Sequence, residues 1–187
     1  MVIRKLFRFE AAHIVRDCST DRCKENIHGH SFIVELFLQS NTLDNAGMVY
    51  DFGLLKGTVK SFIDAFDHCY LLWTGEAKGF KNFIKTVNKR WIEFPFNPTS
   101  ETLSLFLHKG IQDILDHTPM NNGEGKIKVK SVRLHETDTG YAETEDGEEL
   151  LKNMPLPSGV TFSPGILEEN YILMDYLKVG KKWQDTL

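Results

Sequence analysis

The chain reads as an α+β protein in which helices pack on one face of an antiparallel sheet. Two N-terminal segments, residues 2–13 and about 28–40, alternate apolar and polar side chains with the period of a strand. Two later segments, following Asp51 and Asn97, repeat apolar residues at helical spacing, and Lys126 to Glu136 then alternates again. The order strand, strand, helix, helix, strand, with further short extended pieces, segregates helices to one side of a sheet.

In the first segment Ile3, Phe7, Phe9, Ala11 and His13 share one parity while Arg4, Arg8 and Glu10 take the other, which predicts a half-buried strand ending at His13. Residues 14–27 carry Asp, Ser, Thr, Cys and Asn without periodicity and read as a loop. In the second strand His28, His30, Phe32, Val34, Leu36 and Leu38 lie on one face, so His28 and His30 point the same way and Gly29 leaves the backbone between them unencumbered. Asp51 is the expected N-cap of a helix whose apolar face is Phe52, Leu55, Val59, Phe62, Ile63 and Phe66, ending near Asp67-His68. In Asn97-Pro98-Thr99-Ser100-Glu101 an Asn cap, a Pro at the first position and an acid in the first turn start the second helix, with Leu103, Phe106, Leu107, Ile111, Ile114 and Leu115 inward. Asn121-Asn122-Gly123-Glu124-Gly125 breaks the chain before the last strand. A sheet of this kind has two edges to cover, and pairing between copies is one solution. Beyond about residue 144 an acidic passage leads into Pro155-Leu156-Pro157-Ser158-Gly159, and Tyr171, Ile172, Leu173, Tyr176, Leu177 and Trp183 make the last stretch apolar enough to dock.

The bulk composition excludes several classes. With 187 residues, 41% hydrophobic and 26% charged, the chain is long enough to bury a core and has the profile of one globular domain with decorations. A net charge of -4 without a Lys/Arg block argues against a nucleic-acid partner, because neutralising phosphates needs a basic face. The N-terminus lacks the uninterrupted apolar core of a signal peptide, and no apolar run is long enough to span a bilayer, so no membrane association is expected. Three cysteines, an odd number without a spaced framework, suit a reducing compartment, and the cytoplasm is the expected location.

The chemistry concentrates around His28-Gly29-His30. Together with His13 from the neighbouring strand these imidazoles supply three nitrogens and leave a fourth position open, the arrangement of a catalytic zinc ion rather than a structural one. A structural site from Cys18, Cys23, His28 and His30 is disfavoured, because zinc-finger histidines are usually separated by three to five residues. Cys23 is a candidate base or nucleophile if the metal and Arg16, Arg22 or Lys24 favour its thiolate. Asp67-His68 offers a carboxylate beside an imidazole, although adjacent residues rarely bond each other directly and ordinary capping is the simpler reading. Glu136 falls on the apolar face of Val132 and Leu134 and so needs a partner, for example Arg133 or a lysine. Thr99 and Ser100 stand at a helix N-terminus, where free N–H groups can receive a polar ligand.

Taken in order, Phe9-Glu10-Ala11-Ala12-His13, Cys23 before His28-Gly29-His30, Gly47-Met48-Val49-Tyr50-Asp51-Phe52, Asp67-His68, Asn97-Pro98-Thr99-Ser100-Glu101 and His135-Glu136-Thr137 resemble the 6-pyruvoyl-tetrahydropterin synthase family, and its bacterial 6-carboxy-tetrahydropterin synthase branch of queuosine biosynthesis in particular. The match covers about residues 1–142. The resemblance implies a tunnelling fold, a four-stranded antiparallel sheet with two helices assembled into trimeric barrels that stack as hexamers, with active sites between subunits. It implies zinc on His13, His28 and His30, proton handling by Cys23, Asp67 and His68, and a pterin anchored by Glu136; Thr99 and Ser100, at the helix N-terminus, are the further expected substrate contacts. The implied reaction converts 7,8-dihydroneopterin triphosphate to 6-carboxy-tetrahydropterin with release of triphosphate and acetaldehyde. The alternatives are a 6-pyruvoyl product or a catalytically silent zinc- or pterin-binding oligomer. The spacing from Cys23 to His28 differs by a residue from the family pattern, and Glu25 is the alternative base. On this reading residues 1–143 form the synthase domain with an insertion at about 71–96, and 144–187 are a C-terminal extension.

Overall fold

The computed structural model describes residues 1–184, with side chains to residue 179. In chain order its elements are β1 (Val2–His13), α1 (Asp21–Glu25), β2 (His28–Gln39), α2 (Thr58–Asp64), β3 (Cys69–Trp73), α3 (Lys78–Val87), β4 (Trp91–Phe94), α4 (Ser100–Asp116), β5 (Lys128–Thr137), β6 (Gly140–Glu145), β7 (Thr161–Phe162), α5 (Pro164–Glu169) and α6 (Tyr171–Gln184). The fold is α+β, but the sheet has seven strands where four were expected, in the order β6-β5-β2-β1-β3-β4-β7. The first four of that order are antiparallel to one another, as anticipated. Beyond them β3 runs parallel to β1, β4 parallel to β3, and β7 antiparallel to β4, so the sheet is mixed.

Of the extra strands, β3 and β4 escape a periodicity reading because they are short and largely apolar on both faces, and β7 is only two residues long. Cys69, Leu71, Ile92 and Phe94 point into the main core, whereas Tyr70, Leu72 and Trp91 point the other way and pack with Ile84 of α3, flanked by Ala12 and Phe80. A strand buried on both sides shows a continuous apolar run rather than alternation. The expectation of helices on one face therefore fails at this end of the sheet: α3, from the segment read as an insertion, covers the opposite face from α2 and α4. Glu93 of β4 points the same way and is held by Lys81 and Lys85 of α3.

The main core lies between the sheet and α2 and α4. Phe9 and Phe32 stack across β1 and β2 with ring centroids 4.9 Å apart, and Phe62, Phe66, Phe94 and Phe106 continue this aromatic cluster. All six residues predicted on the apolar face of α4 are buried. Its start is shifted, however. The N-cap is Thr99, in a reciprocal capping box with Thr102, and not Asn97. Likewise Asp51 closes a turn by accepting from the Gly53 amide at 2.7 Å, while α2 begins only at Thr58 and leaves Phe52 exposed. Within the predicted loop 14–27, residues Asp21–Glu25 form the short helix α1.

The residues beyond 144 share the main core. Met154, Val160, Phe162, Ile166, Leu173 and Leu177 are buried in it. The Asn170 amide donates to the Ser61 carbonyl of α2 at 2.7 Å, and the Tyr176 hydroxyl donates to Asp113 of α4. The side chain of Trp183, also expected to dock, lies outside the described residues. Among the described residues no helix is long and apolar enough to cross a membrane. Leu173 is fully buried, so Leu173→Ala is expected to cost about 2–5 kcal/mol in urea unfolding. A cost within experimental error would mean that the tail is not part of the cooperative core.

Candidate metal centre and adjoining cleft

The antiparallel register of β1 and β2 sets His13 opposite His28 and Ala11 opposite His30, so three imidazoles share the helix-covered face at one end of the sheet. Their ligand atoms all lie within 4.8 Å of one another. Gly29 allows the strands to meet there, since a Cβ at that position would stand 3.1 Å from the Ala11 carbonyl oxygen. Neither Cys18 nor Cys23 joins this cluster among the described residues.

Backbone carbonyls orient two of the rings. His13 Nδ1 lies 2.7 Å from the Pro98 oxygen and His28 Nδ1 lies 3.0 Å from the Asn26 oxygen. A carbonyl only accepts, so each Nδ1 carries the proton and each Nε2 keeps its lone pair, the tautomer a metal ligand requires. His13 is completely buried, and burial is the main reason its pKa falls to about 4, outweighing the Pro98 bond; the neighbouring His28 and His30 lower it further. His30 is also shifted down, first by burial and then by His28, against the opposing pull of Glu136.

Glu136 lies beside the cluster. The pairing of β5 with β6 shifts register between His135 and Thr137, and the intervening Glu136 places Oε1 3.5 Å from His13 Nε2 and 3.6 Å from His30 Nε2. With His13 neutral, the first contact is two electron pairs facing each other rather than an ion pair, and His13 Nε2 is buried without a hydrogen-bond partner. A divalent cation fits this donor set: it would give the orphaned nitrogen its partner and relieve the opposition of nitrogen and carboxylate. Arg133, the expected partner of Glu136, is instead engaged by Glu143 and Glu35.

Asp67 and His68 lie at the head of β3. The Glu10 amide donates to Asp67 Oδ1 at 2.8 Å, and the His68 amide donates to the Glu10 carbonyl at 2.7 Å. His68 adopts a φ of 53°, a left-handed conformation rare for a residue with a side chain. This backbone accompanies the direct contact that adjacency made improbable, with His68 Nδ1 2.9 Å from Asp67 Oδ2. Partial burial pushes the Asp67 carboxyl up, but the Glu10 amide, His68 and Arg90 outweigh it and leave it below the ordinary Asp range. A cleft of about 360 Å³ opens here, lined by Glu10, His30, Ser31, His68, Tyr70 and Asn88 among others.

The remaining expected site residues are less converged. Cys23 sits on α1, partly exposed, and Glu25 follows on the same helix. Thr99 is occupied in the capping box with Thr102, whereas the Ser100 hydroxyl is buried without a partner. Pro98, Asn26 and Arg90 were not singled out from sequence, because the first two act through backbone carbonyls and Arg90 reaches the Asp67 carbonyl at 2.8 Å from β4's leading end. The Asn97-Pro98 dipeptide was the available signal, and it reads as a helix cap.

The family model described as 6-pyruvoyl tetrahydropterin synthase matches residues 2–147. The chain belongs to the 6-pyruvoyl tetrahydropterin synthase family. A curated relative from Helicobacter pylori strain J99, named 6-carboxy-5,6,7,8-tetrahydropterin synthase, is 43% identical over 169 residues, covering 89% of this chain and 84% of its own. A protein of the same name from Aquifex aeolicus is 30% identical over 162 residues, covering 77% and 97%. Among solved structures, an uncharacterised protein of Wolinella succinogenes superposes with a TM-score of 0.60 at 22% identity, covering 78% of this chain and 98% of that one. The 6-pyruvoyl tetrahydropterin synthase of Caenorhabditis elegans gives 0.54 at 21% identity over 79% and 96%. At that identity these structures speak for the shared fold.

Burial of His13 makes the metal-free protein acid-sensitive. His13 has a folded pKa of about 4 against 6.5 unfolded, so its contribution to stability is complete above pH 6.5 and is lost as pH falls toward 4. The loss is about 3 kcal/mol over that window. Chelator-treated protein should show this fall in urea midpoints, and His13→Asn should flatten it; an unchanged slope in the variant would contradict the assignment.

Proposed function

We propose that the chain is a zinc-dependent lyase that converts 7,8-dihydroneopterin triphosphate and water to 6-carboxy-5,6,7,8-tetrahydropterin, releasing triphosphate and acetaldehyde, for the synthesis of queuosine. The reading is carried by the convergence of His13, His28 and His30, with Glu136 and the bonded pair Asp67-His68 close by on the flanking strand β5 and at the head of β3, in a chain 43% identical to a relative of that name. His13, His28 and His30 are the proposed zinc ligands. When bound, zinc supplies a Lewis acid that holds the side-chain hydroxyls of the substrate and eases loss of their protons.

The protein residues supply positioning and proton transfer. Asp67, fixed by the Glu10 amide, accepts from His68 Nδ1. That tautomer leaves the Nε2 lone pair to take a proton, and the carboxylate stabilises the imidazolium that results. Cys23 is the proposed second proton-handling group, with Glu25 as the alternative on the same short helix. Glu136 presents two oxygens whose fork matches the adjacent ring N–H and amino group of a pterin. Thr99 and Ser100 are the further proposed substrate contacts. A homo-oligomer, a hexamer by resemblance, is also proposed; β6 and β7 are the outermost strands, and pairing between copies would cover such edges.

Incubation with dihydroneopterin triphosphate is expected to yield acetaldehyde and a 6-carboxy pterin; a 6-pyruvoyl product would reassign the reaction within the family, and no turnover would sink the enzyme reading for this substrate. His68→Ala and Cys23→Ala should each lower kcat by about 10²–10⁴ with zinc content retained. His28→Ala should lose most of the zinc by elemental analysis, whereas retention would contradict the three-histidine centre.

A further inference from the structure

The helix that carries Cys23 has little of its own to hold it in place. α1 is five residues long, contains no buried side chain and has no side-chain N-cap, although at its other end the Asn26 amide donates to the Arg22 carbonyl at 3.2 Å. A helix of that length is unstable by itself, and hydrophobic packing cannot be what fixes it. It belongs to a 14-residue connection, 14–27, between two strand ends that bear proposed zinc ligands. Among the described residues, the hydrogen bonds that fasten α1 to anything beyond its own cap residues come from the first residues of this connection: the Val15 amide donates to the Cys23 carbonyl at 3.1 Å, and Arg16 Nη1 donates to the Lys24 carbonyl at 2.8 Å.

Arg16 is in turn fastened from two directions. Its Nε donates to Glu76 Oε1 at 2.8 Å, with the Glu76 side chain only 7% exposed. Its backbone is gripped by the Asn97 side-chain amide, which accepts from the Arg16 amide at 3.2 Å and donates to the Arg16 carbonyl. The guanidinium also stands 5.7 Å from the centre of the Phe80 ring of α3. One planar group thus bridges α1 to the β3–α3 turn, inside the segment that makes this chain longer than compact family members.

We propose that Arg16 and Glu76 are positioning residues, a clamp through which the 71–96 segment holds α1 and sets where the Cys23 thiol stands relative to the metal centre. The proposal rests on the reading of Cys23 as a proton-handling group. It gives the added segment a task in turnover and accounts for a Cys23 placed at a different spacing from His28 than the family pattern, since the helix is located by the clamp rather than by the length of chain leading to the histidines. The fork is what the task requires: two donors of fixed geometry on one side chain, directed at a carboxylate and a carbonyl.

The test compares Arg16→Lys, which keeps the charge for Glu76 but loses the second arm to the Lys24 carbonyl, with Glu76→Gln, which keeps an acceptor but loses the charge. Both are made in the full chain on a Cys18→Ser background, so that iodoacetamide reports on Cys23. Misplacement by about 1 Å is worth up to a hundredfold in rate, so Arg16→Lys is expected to lower kcat by about tenfold or more, with KM within about threefold, zinc content unchanged and Cys23 alkylation at least about threefold faster. Glu76→Gln should move kcat and alkylation in the same directions by a smaller factor. Wild-type kcat and wild-type alkylation in both variants would overturn the clamp. A general loss of structure would appear as zinc loss and a raised KM in Arg16→Lys, and Glu76→Gln then decides by the same two readouts. If Cys23→Ala keeps full turnover, the proton-handling reading fails while the alkylation rates still judge the clamp, so the two failures are distinguishable.

Discussion

The site depends first on the register of β1 against β2. Paired strands alternate faces with period two, so a slip of one residue would turn His28 and His30 to the open face and leave His13 alone among the core aromatics. The register is held by the same residues that build the core. Phe9 stacks on Phe32 four residues before His13 and two after His30, and the apolar parity of both strands continues to Ile3 and Leu38. Metal chemistry and hydrophobic packing therefore lie on one continuous stripe, and the stripe's burial, roughly 25 cal/mol for each Å² of apolar surface, opposes any register that would scatter the histidines.

β4's leading end and the C-terminal tail reinforce this arrangement. Arg90, just before β4, donates to the Asp67 carbonyl at 2.8 Å and to the Asp64 carbonyl at 2.9 Å, bracketing the turn in which His68 takes its left-handed backbone. Glu169 at the end of α5 pairs with the same guanidinium at 2.6 Å. A residue with positive φ persists only where its surroundings over-determine it. Here the determination comes from β1 through the Glu10 carbonyl and amide, and from Arg90 and its tail partner.

Much of this was legible in the sequence where one physical signal dominated. Alternation exposed β1, β2 and β5, helical spacing exposed the buried face of α4, and shared parity brought His28 and His30 together. What stayed hidden falls into three kinds. Strands apolar on both faces, such as β3 and β4, have no alternation to detect, and so the sheet was undercounted and α3 was not assigned to the opposite face. Helix starts moved because Asn97 and Asp51, both sound caps by residue type, found other partners in Arg16 and Gly53. Contacts made through backbone carbonyls, Pro98 to His13 and Asn26 to His28, leave no trace in residue chemistry. The Asp67-His68 bond required a backbone angle that propensity argues against.

These departures from local rules gather around one region. His13 is buried with an unpartnered nitrogen, Glu136 faces lone pairs, His68 has an unfavourable φ, and Ser100 buries an unpaired hydroxyl. Each costs stability by itself, on the order of 1–3 kcal/mol for an unsatisfied buried group or a strained backbone. Tyr70 of β3 adds a buried hydroxyl without a partner, and away from this region His108 Nε2 of α4 is buried unpaired as well. Exceptions gathered in this way around one site point to a constraint other than folding. The exceptions at His13 and Glu136 are of the kind a bound cation reverses, because the His13 nitrogen becomes a ligand and the positive charge offsets the carboxylate beside it. The rigid carbonyl bonds to His13 and His28 then count in favour of binding, since the rings need not be ordered when the ion arrives.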